Sequence, residues 1–161
     1  MKKLIFVRHS KAEDPAIEIS DFERSLTSKG KILANTMAIR LKEKESSTGI
    51  LISSPAFRAI ETALIFAGIF RLPADKILLA GNIDYKFNFL TLQSELKRIN
   101  EEEDIVTLFG HNPSFTDLAA ELSRDGCDFI QKCGIVCISF QAATWSDLKP
   151  NSGKIEYILK P

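Results

Sequence analysis

The chain contains two histidines, His9 and His111, and each directly follows a run of strand-forming residues. Leu4-Ile5-Phe6-Val7 runs into Arg8-His9-Ser10-Lys11, and Ile105-Val106-Thr107-Leu108-Phe109 runs into Gly110-His111-Asn112-Pro113. A third such exit, Ile50-Leu51-Ile52 into Ser53-Ser54-Pro55, is followed by Arg58 in the first or second turn of a helix. A neutral imidazole is a competent nucleophile near pH 7, and a guanidinium fork matches phosphoryl oxygens two at a time. A cation near a helix N-terminus opposes the helix dipole and is more comfortable with an anion beside it. In an open α/β sheet, chemistry collects just outside the carboxyl ends of the strands, where helix N-termini also favour anions. The guest that fits is a phosphoryl group, with about two negative charges near neutral pH. Taken singly, Arg8 reads as a surface cation, Arg58 as an exposed helix residue, Ser10 as a turn residue and either histidine as hydrogen-bonded scaffold. Their joint placement on one edge argues for a site.

The elements that must deliver these residues follow from the apolar pattern. Strand one covers Lys3 to Arg8, and a polar loop with Pro15 covers Lys11 to Glu23. Arg24 to Gly30 opens a helix to Glu45, with Leu33, Ala34, Met37, Ala38 and Leu41 on one face. Gly30, on that same face, costs about 1 kcal/mol against Ala inside a helix, which makes sense if the helix start must approach the sheet closely. Strand two covers Gly49 to Ser53. Its helix, Ala56 to Arg71, is expected to be capped by Ser54 with Pro55 in the first position, and to turn Ile60, Leu64, Ala67 and Phe70 inward. A short strand at Lys76 to Ala80 and a helix from Asn88 to Asn100 follow, the latter with Leu92, Leu96 and Ile99 inside. Strand four ends at Phe109, and Asn112 and Pro113 are expected to cap and begin a helix to Arg124. Ile135–Phe140 and Lys154–Leu159 have no helix-length segment between them and should pair antiparallel. The expectation is one α/β domain over residues 1–161: three αβα layers, a mostly parallel central sheet and an antiparallel C-terminal hairpin addition.

Composition narrows the class. At 161 residues, 45% apolar and 26% charged, the chain is an ordinary globular domain with enough length for a sizeable core. Lys+Arg and Asp+Glu balance at 21 each, which argues against nucleic acid or an anionic membrane as the partner. No apolar run approaches the roughly 18 residues of a membrane span, and the apolar stretch before Arg8 is too short for a signal peptide. A cytoplasmic enzyme or binding domain is expected. Cys127, Cys133 and Cys137 lack the companions of a zinc site, and no arginine stands six residues beyond any of them as in a cysteine-phosphatase loop. They read as free thiols, mostly buried.

Several segments together resemble one known family. Arg8-His9-Ser10 stands where the histidine phosphatases, of the phosphoglycerate mutase-like fold, have Arg-His-Gly or Arg-His-Ala after the first strand. Asp21-Phe22-Glu23-Arg24-Ser25-Leu26-Thr27-Ser28-Lys29-Gly30 resembles their Asp-x-x-Arg-x-Leu-Thr-x-x-Gly segment. Ser53-Ser54-Pro55-Ala56-Phe57-Arg58-Ala59-Ile60-Glu61-Thr62-Ala63 resembles Ser-Ser-Pro-x-x-Arg-Ala-x-x-Thr-Ala, and Gly110-His111-Asn112-Pro113 resembles their Gly-His-Asn-Pro turn. With an ending, Trp145-Ser146-Asp147-Leu148 through Lys160, like that of the small SixA-like phosphohistidine phosphatase branch, the resemblance spans nearly the whole chain in order.

The resemblance implies that His9 is the nucleophile and that Arg8, Arg24, Arg58 and His111 hold the phosphoryl oxygens, with no metal and no cofactor. It also implies a substrate that is a phosphohistidine-bearing protein or a small phosphorylated molecule. Phosphoryl transfer asks mainly for positioning and positive charge, which three arginines can supply. Two departures stand out. Ser10 replaces the small residue of the signature, and its hydroxyl could serve the loop or the phosphate. Relatives that cleave esters carry a glutamate after the third strand, where the only carboxylate here is Asp84. A missing strong acid, and no room for the insertions that cap sugar-phosphate enzymes, fit an open site for protein-borne phosphohistidine. The alternatives are a phosphomonoesterase for small esters and a phosphate-dependent binding module without turnover.

Overall fold

The computed structural model describes residues 1–161. Its elements are β1 (Lys2–Arg8), α1 (Ser28–Lys44), β2 (Ile50–Ser53), α2 (Phe57–Phe70), β3 (Ile77–Leu79), α3 (Phe89–Leu96), β4 (Ile105–Gly110), α4 (Ser114–Leu122), β5 (Ile135–Phe140) and β6 (Lys154–Leu159). Three single 3₁₀ turns lie at Asp21–Glu23, Ala74–Lys76 and Trp145–Asp147. The six strands form one sheet in the order β3-β2-β4-β1-β5-β6. Strands β3, β2, β4 and β1 are mutually parallel; β5 runs antiparallel to β1, and β6 antiparallel to β5. The α/β class, the mostly parallel sheet and the C-terminal antiparallel pair are therefore as the sequence predicts.

The continuous apolar run in β1 is buried on both faces because two helical layers need it. Ile5 and Val7 point to one side, where they join Ala34, Met37, Ala38 and Leu41 of α1 and Ala63 and Phe66 of α2. Leu4 and Phe6 point to the other, against Leu92 and Leu96 of α3 and Phe115, Leu118 and Leu122 of α4. Edge-to-face pairs on each side, Phe66–Phe109 and Phe6–Phe115, have centroids 5.3 Å apart and fix how the helices seat.

Four local expectations shift. The inner face of α2 is Ala59, Ala63, Phe66 and Ala67, while Leu64 is exposed; small residues face α1 because the two helices pack against each other closely. Ala56, not Ser54, precedes that helix, so Phe57 is its first residue. Helix α4 starts at Ser114 with Pro113 before it, yet Asn112 still caps from one position earlier, its Oδ1 accepting from the Thr116 N–H at 3.3 Å and the Thr116 hydroxyl at 3.0 Å. Helix α3 stops at Leu96 rather than Asn100, though Leu92, Leu96 and Ile99 are all buried. No helix is long and apolar enough to cross a membrane.

Candidate active site

The parallel ladder does not stop where the strands end, and this brings the chemistry together. His9 N–H donates to Gly110 O at 2.9 Å, and Ser54 N–H donates to Phe109 O at 2.9 Å. The residues just beyond β1, β4 and β2 therefore stand side by side. As a result the His9 and His111 rings lie 5.2 Å apart between centroids, and His111 Nε2 sits 2.8 Å from Ser54 Oγ. On the far side of β1, Cys133 N–H reaches both Arg8 O and His9 O at 3.1 Å from a left-handed backbone, φ 62°. That pins the loop before β5 against the β1 exit.

Hydrogen bonding sets the His9 tautomer. His9 Nδ1 lies 2.7 Å from Ser10 O, so it must carry the proton, and Nε2 keeps the lone pair. Ser54 Oγ accepts from Ala56 N–H at 3.3 Å and shares a second hydrogen bond with His111 Nε2 at 2.8 Å. His111 Nδ1 has no partner within the chain, and neither has the buried Arg8 Nε. Burial is the main force pushing His9 down to about 3; nearby His111, Arg58 and Arg8 add to it, against the Ser10 carbonyl. Burial, with Arg58 next, takes His111 to about 4. Both rings are neutral at pH 7, His9 with its Nε2 acceptor free and His111 with Nδ1 unpartnered.

Arg58, at the second position of α2, is buried and reaches across the strand ends. Its guanidinium donates to the Asp21 backbone carbonyl, to Asp21 Oδ2 at 2.9 Å and to the Tyr85 hydroxyl at 2.6 Å. Arg24 donates to the other oxygen, Asp21 Oδ1, at 2.6 Å and to Glu13 O at 2.7 Å. The Tyr85 hydroxyl closes the set with a bond to Asp21 Oδ2 at 3.0 Å, and its ring packs on His111 at 5.2 Å. Partial burial works to raise the Asp21 pKa, but hydrogen bonds from Arg24, Tyr85 and Arg58 outweigh it and hold the group at about 2. One carboxylate thus bridges two of the predicted phosphate-binding arginines.

A cleft of about 310 Å³ opens over His111, Arg58, Asp21 and Tyr85, with Asp84 also on its wall. Arg8 lines a separate groove; its Nη1 donates to Ile130 O at 2.9 Å and its guanidinium stacks on Phe129 at 5.2 Å. His9 lines neither and is 8% exposed, held between its neighbours on the two sides. The structure thus sets His9 beside His111, places Arg58 in one cleft with His111, and joins Arg24 to Arg58 through Asp21. It leaves Arg8 near enough to act on the charge of both rings, while its guanidinium lies in the other groove. Ser10 is fully buried, and its hydroxyl donates to Gly30 O at 2.7 Å while its N–H donates to Thr62 Oγ1 at 3.1 Å. It is a scaffold residue, not a group turned toward a ligand. Asp84 faces the cleft but spends Oδ1 on the Lys86 N–H at 2.7 Å. The cysteines stay out of the chemistry: burial lifts Cys133 to about 12 and Cys137 to about 11.

Structures of known proteins share this arrangement of strands and helices. A SixA structure from Agrobacterium tumefaciens superposes with a TM-score of 0.78 at 21% identity, over 99% of this chain and 98% of that one. One from Nakamurella multipartitia gives 0.81 at 18% identity, over 99% and 96%. A protein histidine phosphatase SixA complexed with tungstate gives 0.83 at 21% identity, over 98% and 96%. The chain has the histidine phosphatase fold. Within that fold the likeness is looser to a mycobacterial glucosyl-3-phosphoglycerate phosphatase in complex with inorganic phosphate, at 0.68 and 13% identity over 98% and 96%. No protein-family model and no curated protein sequence matches the chain.

Three side chains of this histidine phosphatase fold escaped the sequence reading: Asp21, Tyr85 and Ser54. Ser54 was visible but its hydroxyl was assigned to a helix cap. Tyr85 is the only aromatic ring in the Gly81–Lys86 loop, a cue to a cleft wall. Asp21 lies in a quoted motif, but nothing local says that a loop carboxylate folds back onto arginines from two other segments.

Proposed function

We propose that the protein is a phosphatase that works through a phosphohistidine intermediate on His9 and acts on phosphohistidine in proteins, without a metal ion. The observation that carries this reading is the His9–His111 pair at 5.2 Å, neutral, with Nδ1 of His9 tied to a carbonyl and Nε2 free. In the first half-reaction the Nε2 lone pair attacks phosphorus, and the bond from phosphorus to the substrate nitrogen breaks with its electrons leaving on that nitrogen. In the second, water attacks phosphorus and gives up one proton to the phosphate that forms, the bond to Nε2 breaks with its electrons returning to that nitrogen, and neutral His9, still protonated on Nδ1, is restored. Splitting one step into two lowers each barrier.

Arg8 and Arg58 flank the transferring group in this reading, and His111, in the tautomer protonated on its unpartnered Nδ1, offers a further donor; preorganised charge of this kind is the main demand of phosphoryl transfer. Arg24 acts one step back, through Asp21. The likeness of fold to the SixA structures supports the substrate class, and the tungstate held by one of them supports a phosphoryl-sized anion as guest. A second reading, hydrolysis of small phosphate esters, gains from Asp84 on the cleft wall and from the looser likeness to a sugar-phosphate phosphatase.

Phosphate release from a phosphohistidine peptide, compared with release from p-nitrophenyl phosphate, separates the readings. Fast release from the peptide with little from the ester supports the proposal, and the reverse favours the esterase. Turnover of neither, with phosphate still bound, favours a binding module.

A further inference from the structure

Beside the cleft runs a broader groove of about 610 Å³, lined by Arg8, Lys11, Phe129, Gln131 and Lys132 together with Leu33 and the last residue. No Asp or Glu side chain lines it, so that Arg8, Lys11 and Lys132 outnumber its one anion, the chain-end carboxylate of Pro161, although the chain as a whole carries equal numbers of cations and anions. Neither Lys11 nor Lys132 is paired with a carboxylate anywhere in the fold. Phe129, 65% exposed, supplies an aromatic face between them, already stacked by Arg8 on one side. Unpaired cations around an exposed ring make a surface that an anionic, partly apolar chain would cover.

The groove is built rather than incidental, because both lysines sit on fixed backbone. Lys11 O accepts from Thr27 N–H at 3.0 Å, and the start of α1 presses on the same carbonyl, since a Cβ on Gly30 would come within 2.0 Å of it. Lys132 precedes Cys133, whose N–H is bonded to Arg8 O and His9 O, and Gly134 N–H closes a turn onto Gln131 O at 2.8 Å. The Lys132 loop is thus fastened to Arg8 and His9 at the exit of β1, and Lys11, two residues beyond His9, is fastened to the start of α1.

We propose that this groove docks an acidic segment of the phosphorylated protein substrate, so that Lys11 and Lys132 select the protein while the neighbouring site handles the phosphoryl group. The proposal rests on the phosphohistidine reading above. Charge of this kind acts on encounter and on KM, falls with ionic strength, and leaves the chemical step alone.

The test pairs two phosphohistidine peptides, one flanked by glutamates and one by glutamines, with the Lys11→Ala/Lys132→Ala double variant. The wild type should favour the glutamate peptide by about fivefold in kcat/KM at low salt, the sum of two rim charge pairs. That preference should shrink with added salt and vanish in the double variant, while turnover of p-nitrophenyl phosphate stays within about twofold, as rim charges allow. Equal turnover of the two peptides by the wild type, or a preference that survives in the double variant, overturns the proposal. A separate arm is independent of turnover: fluorescence anisotropy with the labelled, unphosphorylated glutamate peptide. Weaker binding to the double variant upholds the groove even if no phosphatase activity is found; unchanged binding, or tighter binding of an oligonucleotide of equal charge, defeats it.

Discussion

Asp21 is the residue whose position says most about how the site is poised. Its two oxygens hold Arg24 at 2.6 Å and Arg58 at 2.9 Å, the cations that a phosphoryl group would otherwise recruit. A carboxylate half exposed to solvent on one side and fixed by three donors on the other competes directly with an incoming anion. Replacing it by Asp21→Asn keeps the shape and removes the charge. Orthophosphate should then bind about tenfold tighter in calorimetry, the effect of removing one like charge at close range. Weaker binding would mean that Asp21 serves to aim the arginines and does not compete. The histidines make a second residue-scale prediction. With burial holding them at about 3 and about 4, their imidazole ¹⁵N resonances should stay those of neutral rings from pH 8 to pH 5.5, His9 protonated on Nδ1. Titration of either ring near pH 6.5 would contradict the buried geometry.

Elements place those residues, and here the helix starts matter more than the helices. The Ser10 hydroxyl on Gly30 O, the Ser10 N–H on Thr62, and the Lys11 carbonyl under Gly30 seam the β1 exit to the first turns of α1 and the second turn of α2. Gly30→Ala would drive a methyl to 2.0 Å from a backbone carbonyl that cannot step aside without moving His9. A loss of about 3 kcal/mol in urea unfolding is expected, at the upper end of overpacking, with activity falling as well; a loss under about 1 kcal/mol, the ordinary scale of a surface change, would show the seam to be slack. The order of strands and helices was legible in the sequence because buried runs such as Leu4 to Val7 and Ile105 to Phe109 admit little else. So was the placement of Arg8, His9, Arg58 and His111 at one edge of the sheet, because strand ends and the helix starts that follow them gather in space. The inner face of α2 was not, since Ala59 and Ala63 face α1 and small residues carry little hydrophobic signal. Nor was the role of Ser10, whose partner Gly30 lies twenty positions on and is brought near only by α1 packing. Asp21 and Tyr85 escaped for the same reason: their meeting depends on two loops folding onto one arginine.

For the molecule as a whole, two buried neutral histidines make stability depend on pH. Each has a folded pKa below its unfolded value near 6.5, so the unfolded chain binds the extra protons first. Their contribution is complete above pH 6.5 and is lost as pH falls toward about 4 for His111 and about 3 for His9. The slope is up to about 1.4 kcal/mol per pH unit for each ring, and urea midpoints between pH 7 and pH 4 should show it. His111→Asn should flatten the curve over that window, and an unchanged curve would place the loss elsewhere. The same pair carries the proposed chemistry, which needs a neutral His9 with its Nε2 lone pair free. The direct test is to quench the protein during turnover of a phosphohistidine peptide in alkali, digest it and locate the phosphoryl group. The account predicts phosphate on Nε2 of His9, and none, with no turnover, in His9→Ala. Phosphate on His111 or on Nδ1 of His9, or turnover that survives His9→Ala, would contradict it.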